Sequence, residues 1–233
     1  DYVRELAAQI PGAADADPGE LAQAGVALMV ERIQATLQRF GVEFDTWFSE
    51  RSLHAGDPTA VDAALVTLEE AGALFEEEGA TWLRTTPHAD DKDRVLRRST
   101  GEHTYFASDI AYHLDKRARG FDRMIDVWGA DHHGYVPRMK ASFAALGDDP
   151  ERLELVIMQF VNLIERGERA SMSKRRGDFV TLDELIEQVG VDAARFFLLQ
   201  RSHDTTVDLD IDLARERTAE NPVYYVQYAH ARI

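Results

Sequence analysis

The sequence predicts an α/β protein built on a parallel sheet, and three observations predict it. Between residues 100 and 200 candidate strands and helices alternate, the pattern of β-α-β units. An apolar segment over residues 123–128 ends in Gly129 and runs into a helical segment. Residues 1–90 form a separate compositional zone, with 17 acidic and 5 basic side chains, against 25 and 21 in the remainder.

Each element follows from local pattern. Residues 1–10 read as the tail of a helix. Leu21, Val26, Met29, Val30, Ile33, Leu37 and Phe40 keep helical spacing through residues 19–40. Residues 42–48 alternate and predict a strand. Asp57-Pro58 reads as an N-cap and first helical residue, opening a helix to about Glu78. Residues 80–84 and 94–98 are candidate short strands on either side of a polar stretch. Residues 106–119 predict a helix, 123–128 a buried strand, and 134–146 a helix stopped by Gly147-Asp148-Asp149-Pro150. Residues 153–164 are one apolar run, broken by Gly167. Thr181 caps a helix whose Leu182, Leu185, Ile186 and Val189 share one face, and another helix covers 191–200. Asn221-Pro222 opens a last helix that the sequence does not complete.

Composition narrows the function. Net charge is −16 over 233 residues, without the Lys and Arg excess that grips a phosphate backbone. An acidic surface suits cationic small molecules better. No apolar run reaches membrane-spanning length, and the opening residues lack the basic start and apolar stretch of a signal peptide. Cysteine is absent, so these residues form neither disulfides nor thiolate metal sites. A cytoplasmic enzyme or binding domain is the expectation.

Three clusters carry chemistry. Ser171-Met172-Ser173-Lys174-Arg175-Arg176-Gly177 joins small residues, a lysine and a glycine in a loop able to approach phosphates. On composition alone a solvated basic turn is the default for such a run. Trp128-Gly129-Ala130-Asp131-His132-His133-Gly134-Tyr135 lies where a strand ends and a helix begins, the place where ligands bind in open α/β sheets. Gly129 lets a ring or sugar approach the backbone, Asp131 offers a carboxylate, and the histidines offer donors. Metal ligation by Asp131, His132 and His133 lacks a third, spaced ligand, so no protein metal site is expected; helix-capping histidines are the bland reading. In Tyr105-Phe106-Ala107-Ser108-Asp109, the phenol and carboxylate are four residues apart on one helix face. That pairing suits a guanidinium fork, although Asp109 alone reads as a surface ion-pair partner.

The ordered set formed by residues 104–113, 128–140, 171–182, 190–199 and 221–233 resembles bacterial arginine–tRNA ligases, class I aminoacyl-tRNA synthetases. The likeness runs along nearly the whole chain and is densest after residue 100. It implies a Rossmann-like sheet with an inserted subdomain, activation of arginine by ATP to arginyl-adenylate, and transfer to tRNA(Arg). ATP is a substrate, with Mg2+ expected to accompany it. It implies that Tyr105, Asp109 and Asp131 line the arginine pocket and that Gly129 and His132 contact the ATP nucleoside. Met172, Ser173 and Lys174 match the mobile signature loop, Lys174 being its phosphate-binding lysine.

The organisation it implies is helical residues 1–43 of the catalytic domain and a connective or inserted region over 44–99. A Rossmann-like half with the signature loop covers 100–220, and residues 221–233 open a helical anticodon-binding domain. Two departures stand out. The signature normally opens with lysine where this chain has Ser171, and the His-Ile-Gly-His signature is absent, since His54-Ala55-Gly56-Asp57 lacks the second histidine. A truncated catalytic domain, inactive alone, is therefore expected. Two alternatives remain: a class I ligase for another amino acid, and a binding module that keeps the pocket without catalysis.

Overall fold

The computed structural model describes residues 2–169 and 180–233. In chain order the elements are α1 (Tyr2–Ala7), α2 (Pro18–Arg39), α3 (Ala60–Glu70), β1 (Leu74–Glu77), β2 (Ala80–Leu83), β3 (Arg94–Arg97), α4 (Tyr105–Ala118) and β4 (Met124–Gly129). They continue with α5 (Val136–Ala145), β5 (Leu153–Met158), β6 (Val161–Glu165), β7 (Glu168–Arg169), α6 (Leu182–Val189) and α7 (Val191–Leu199). The last three are β8 (Val207–Asp210), α8 (Ile211–Arg215) and α9 (Pro222–His230). Packing divides the chain into two compact units.

One unit holds residues 47–160 and 202–206. Strands β1, β2 and β3 form an antiparallel meander, and β4 pairs in parallel with β5 through the crossover helix α5. One apolar core serves both parts: Val61, Leu65 and Leu68 of α3, Leu83 and Leu96 of the meander, Phe106 and Ile110 of α4, and Met139, Phe143 and Leu153. The pieces differ in composition but share buried surface, so they fold as one body.

The other unit holds residues 1–46, 161–201 and 207–233. Here β6 pairs in parallel with β8 and antiparallel with β7. Leu163, Leu185, Ala194, Phe197, Leu209 and Ile211 fill its core. Thr181 caps α6 in a reciprocal box with Glu184, and Asn221 caps α9, both at the positions the sequence marks. Strand β8 and helix α8 have no counterpart in the sequence reading.

Several sequence expectations are corrected. Residues 42–48 join no ladder among the described residues. Helix α2 ends where Gly41 takes a left-handed φ of 75° and the Val42 N–H bonds to the Leu37 carbonyl, a Schellman close. Of its apolar side chains Phe44 and Trp47 are exposed, while Phe48 stacks on Tyr112 at 4.4 Å. The helix expected over 57–78 spans only Ala60–Glu70, and β1 occupies its tail. Its cap is Thr59, whose hydroxyl accepts from the Asp62 N–H while the Asp62 carboxylate accepts from the Thr59 N–H. That box satisfies two amides Asp57 cannot reach. Thr59→Ala is expected to cost about 1 kcal/mol, seen as a lower denaturation midpoint and faster amide exchange in α3. An unchanged midpoint would remove the box as the stabilising feature.

The apolar run over 153–164 is two strands, β5 and β6, with Gln159 and Phe160 between them. Strand β4 is not buried on both faces. Met124 and Asp126 are buried, whereas Ile125 and Val127 are 53% and 64% exposed. Burying an aspartate instead of an isoleucine needs partners, and those partners lie behind the candidate site.

Candidate active site

The site is built on α4 and on the turn that follows β4. Thr104 fixes the start of α4. Its hydroxyl accepts from the Ala107 N–H and donates to the Val95 carbonyl of β3, and its own N–H bonds to Leu96. Tyr105, the first helical residue, is 83% exposed. One turn further on, Asp109 faces a cavity of about 190 Å3 lined by Phe48, Glu50, Leu53, Ser108, Asp109 and Tyr112. The rim carries His54, whose Nε2 lies 3.2 Å from Ser108 Oγ and 3.9 Å from Glu50 Oε1.

Asp109 Oδ2 accepts a 2.6 Å hydrogen bond from the Tyr135 hydroxyl. Burial raises the Asp109 carboxyl above its ordinary value, and the Glu50 charge adds to that, while the Tyr135 bond and the nearby His113 pull it down. Burial, then the Asp109 hydrogen bond, pushes the Tyr135 phenol far above its usual value, so it stays a donor. The phenol that hydrogen-bonds the Asp109 carboxylate is therefore Tyr135. Helical spacing places Tyr105 one turn away on the same helix, but the bond to the carboxylate comes from another element. Tyr135 is held by the Trp128 ring, 5.7 Å away and edge-on, and by the Arg138 guanidinium 4.6 Å above its own ring.

At the end of β4 the chain turns through a 3-10 segment, Ala130–Tyr135. Asp131 Oδ1 lies 3.0 Å from His132 Nδ1, and the His132 ring sits 6.1 Å from Trp128. A Cβ on Gly129 would meet Asp131 Oδ1 at 2.8 Å, so glycine there leaves room for the Asp131 side chain. Gly129, Asp131 and His132 are thus contiguous, and Trp128 and Tyr135 link them to Asp109. Asp131 and Tyr105 are not among the cavity-lining residues. Met172, Ser173 and Lys174 lie outside the described residues. Among the described residues no group of three or more His, Asp or Glu is placed to hold a metal ion.

Tyr135 and Glu50 were missed as site residues. Tyr135 stands in the quoted 128–135 cluster, where its position after a strand end is a usable signal. Glu50 carries no such signal, because only the fold brings it to a helix 59 positions later.

An α/β body with polar groups gathered at the carboxyl end of a parallel strand is the arrangement of open α/β ligand-binding domains. The family described as tRNA synthetases class I (R), catalytic domain, matches residues 18–233, and the chain belongs to that family. The chain is 56% identical over 209 residues to an arginine–tRNA ligase of Thioalkalivibrio sulfidiphilus, covering 90% of this chain and 35% of that protein. It is 51% identical to the arginine–tRNA ligase of Nitratidesulfovibrio vulgaris, covering 100% of this chain and 43% of the relative. A Campylobacter jejuni crystal structure described as an arginyl-tRNA synthetase superposes with a TM-score of 0.89 at 37% identity, over 100% of this chain and 51% of that one. The Thermus thermophilus arginyl-tRNA synthetase shares the fold, with a TM-score of 0.70 at 21% identity over 99% of this chain and 50% of that one. The chain thus spans between about a third and a half of the relatives it matches.

Proposed function

We propose that the complete protein joins arginine to ATP and passes the arginyl group to tRNA(Arg). The observation that carries this reading is the Asp109 carboxylate, half-buried and held by Tyr135, opening with Glu50 onto a cavity sized for a side chain. Two carboxylates in a partly dry site recognise a cation, and the planar guanidinium can spread its donors over both. Tyr105, at the exposed end of the same helix, is assigned to the mouth of the pocket, and Asp131 to the substrate amino end. Gly129 and His132 are assigned to the ATP nucleoside, with Met172, Ser173 and Lys174 against the phosphates. Mg2+ is expected to arrive on the nucleotide phosphates.

The chemistry is an in-line displacement. An arginine carboxylate oxygen attacks the α-phosphorus, the bond to the bridging oxygen breaks, and pyrophosphate leaves with the electron pair. The protein contributes position and charge, not a covalent intermediate. No helix among the described residues is long and apolar enough to cross a membrane, and a cytoplasmic place of work is proposed with the reaction.

Arginine-dependent exchange of pyrophosphate into ATP tests the proposal. The complete protein is expected to catalyse it with arginine and not with lysine. The 233 residues alone, which contain no His-Ile-Gly-His, are expected not to catalyse it. Exchange driven by another amino acid would overturn the substrate assignment. Arginine binding by the complete protein without any exchange would favour the module that binds without catalysis, the reading to which Ser171 points.

A further inference from the structure

Behind Asp109 lies a buried polar group that the reaction as described leaves without a role. His113 stands one turn further along α4 and is 4% exposed. Its Nδ1 lies 2.7 Å from the Asp109 backbone carbonyl, and its Nε2 lies 2.7 Å from Asp126 Oδ2 on β4. The other Asp126 oxygen, Oδ1, accepts from Lys116 Nζ at 2.5 Å. Although burial alone raises the Asp126 carboxyl, the His113 and Lys116 bonds more than offset it and hold it below its ordinary value. Lys116, an ion-pair partner independent of the His113 ring, keeps Asp126 ionised, so Asp126 can only accept.

The geometry then restricts the ring. A backbone carbonyl accepts and never donates, so Nδ1 carries a proton. An ionised carboxylate accepts as well, so Nε2 carries one too. We propose that His113 is a positioning residue for the arginine pocket: doubly protonated, it ties the helical turn that bears Asp109 to strand β4 and sets a positive charge behind the Asp109 carboxylate. The inference rests on the reading of Asp109 as the guanidinium acceptor.

The tie joins the two halves of the site, because α4 carries Asp109 and β4 runs into Gly129 and Asp131. The charge matters because nearly everything else around Asp109 works against its ionised form. Glu50 faces it from the 3-10 segment Glu50–His54, with His54 beside Glu50 and Ser108. Asp126 lies behind it on β4, paired with Lys116. Among the described residues Tyr135 donates to the carboxylate, from the turn after β4. Without the His113 charge, burial and two carboxylates would be opposed chiefly by the Tyr135 bond, and Asp109 would take up a proton at higher pH.

The test is arginine affinity of the complete protein, measured calorimetrically from about pH 5 to 8, the range histidine chemistry spans. In the unaltered protein affinity is expected to fall on the acid side as Asp109 is protonated. In His113→Gln that fall is expected to begin at higher pH, with binding weakened roughly tenfold more near the acid end than at the alkaline end, one decade per pKa unit. Equal weakening at every pH would mean a merely structural histidine and would overturn the proposal. If the variant does not fold, the ring nitrogens of the unaltered protein decide. A 15N–1H spectrum taken under the conditions of the binding measurement is expected to show both His113 nitrogens protonated, as the two acceptors facing the ring require, and a neutral ring would overturn the proposal equally. Failure of the unaltered protein to bind arginine at any pH would refute the pocket assignment instead, a distinct outcome.

Discussion

Asp109→Asn in the complete protein is expected to weaken arginine binding by roughly 2–5 kcal/mol, the range for removing one partner of a desolvated charge pair. The substitution keeps size and leaves an oxygen to accept from Tyr135, so it deletes the charge while retaining the shape. ATP affinity is expected to change little, because Gly129 ends β4, His132 stands on the turn after it, and neither is among the described residues lining the cavity. The free protein is expected to lose no stability and to gain some. Burial holds the Asp109 carboxyl above its ordinary value, so the folded state binds that proton more tightly than the unfolded one. The contribution is fully present below the unfolded value and is lost as pH rises through the folded one. At neutral pH the ionised group is therefore a net cost to the fold. A residue kept at such a cost is accounted for by a ligand it serves. Calorimetric titrations with arginine and ATP, beside thermal unfolding, separate the cases. A surface aspartate would change arginine affinity by no more than about 0.5 kcal/mol, and that result would take Asp109 out of the pocket.

The same cavity sets the expected discrimination against lysine. An ammonium is a compact point charge with three donors, whereas the guanidinium is a planar fork with five. Asp109 and Glu50 both line the cavity, so a fork can address both carboxylates together. A lysine ammonium reaching the same depth can meet one carboxylate as a point charge but cannot span both as the fork does, so it is expected to bind less tightly.

What was legible in the sequence depended on how far apart the interacting residues lie. Caps are local, and Thr181 with Glu184 and Asn221 before Pro222 were both readable. Thr59 with Asp62 is equally local, but Asp57-Pro58 offered a competing start two residues earlier and hid it. Strand β4 misled for a physical reason. Hydrophobic patterning assumes the polar face is the wet one, yet here Asp126 is buried by His113 and Lys116 while Ile125 and Val127 face outward. The candidate pocket divides in the same way. Asp109 was found because helical spacing drew attention to α4, and the neighbour that spacing supplied was Tyr105. The phenol that bonds the carboxylate is Tyr135, 26 residues on, and the second carboxylate is Glu50, 59 residues back. No periodicity links residues across elements, so those two became visible only once α4, β4 and the Glu50–His54 segment had been assembled around one core.

Lys174→Ala in the complete protein is expected to lower the rate of adenylate formation roughly 10²-fold or more, while the arginine KM stays within a small factor. As the arginine carboxylate attacks the α-phosphorus, negative charge grows on the departing pyrophosphate. A lysine placed there meets more charge in the transition state than in the bound substrate, so its loss falls on kcat. Arginine is proposed to sit by its guanidinium at Asp109, in a cavity whose described lining is Phe48, Glu50, Leu53, Ser108, Asp109 and Tyr112, whereas Lys174 is proposed to meet the phosphates. Removing the lysine should therefore leave that contact intact. Ser171, where the signature normally has a second lysine, makes the expectation sharper, since Lys174 is the signature lysine that remains. Arg175 and Arg176 follow it directly, and Lys174→Arg asks whether charge alone suffices. A guanidinium keeps the charge but presents it as a wide planar fork, so partial recovery is expected, not full activity. Single-turnover formation of labelled adenylate separates chemistry from product release. A sharp rise in arginine KM at unchanged kcat would mean that Lys174 serves the amino acid and not the phosphates. Equal loss of binding for both substrates would point instead to a loop that organises the site without touching the reacting atoms.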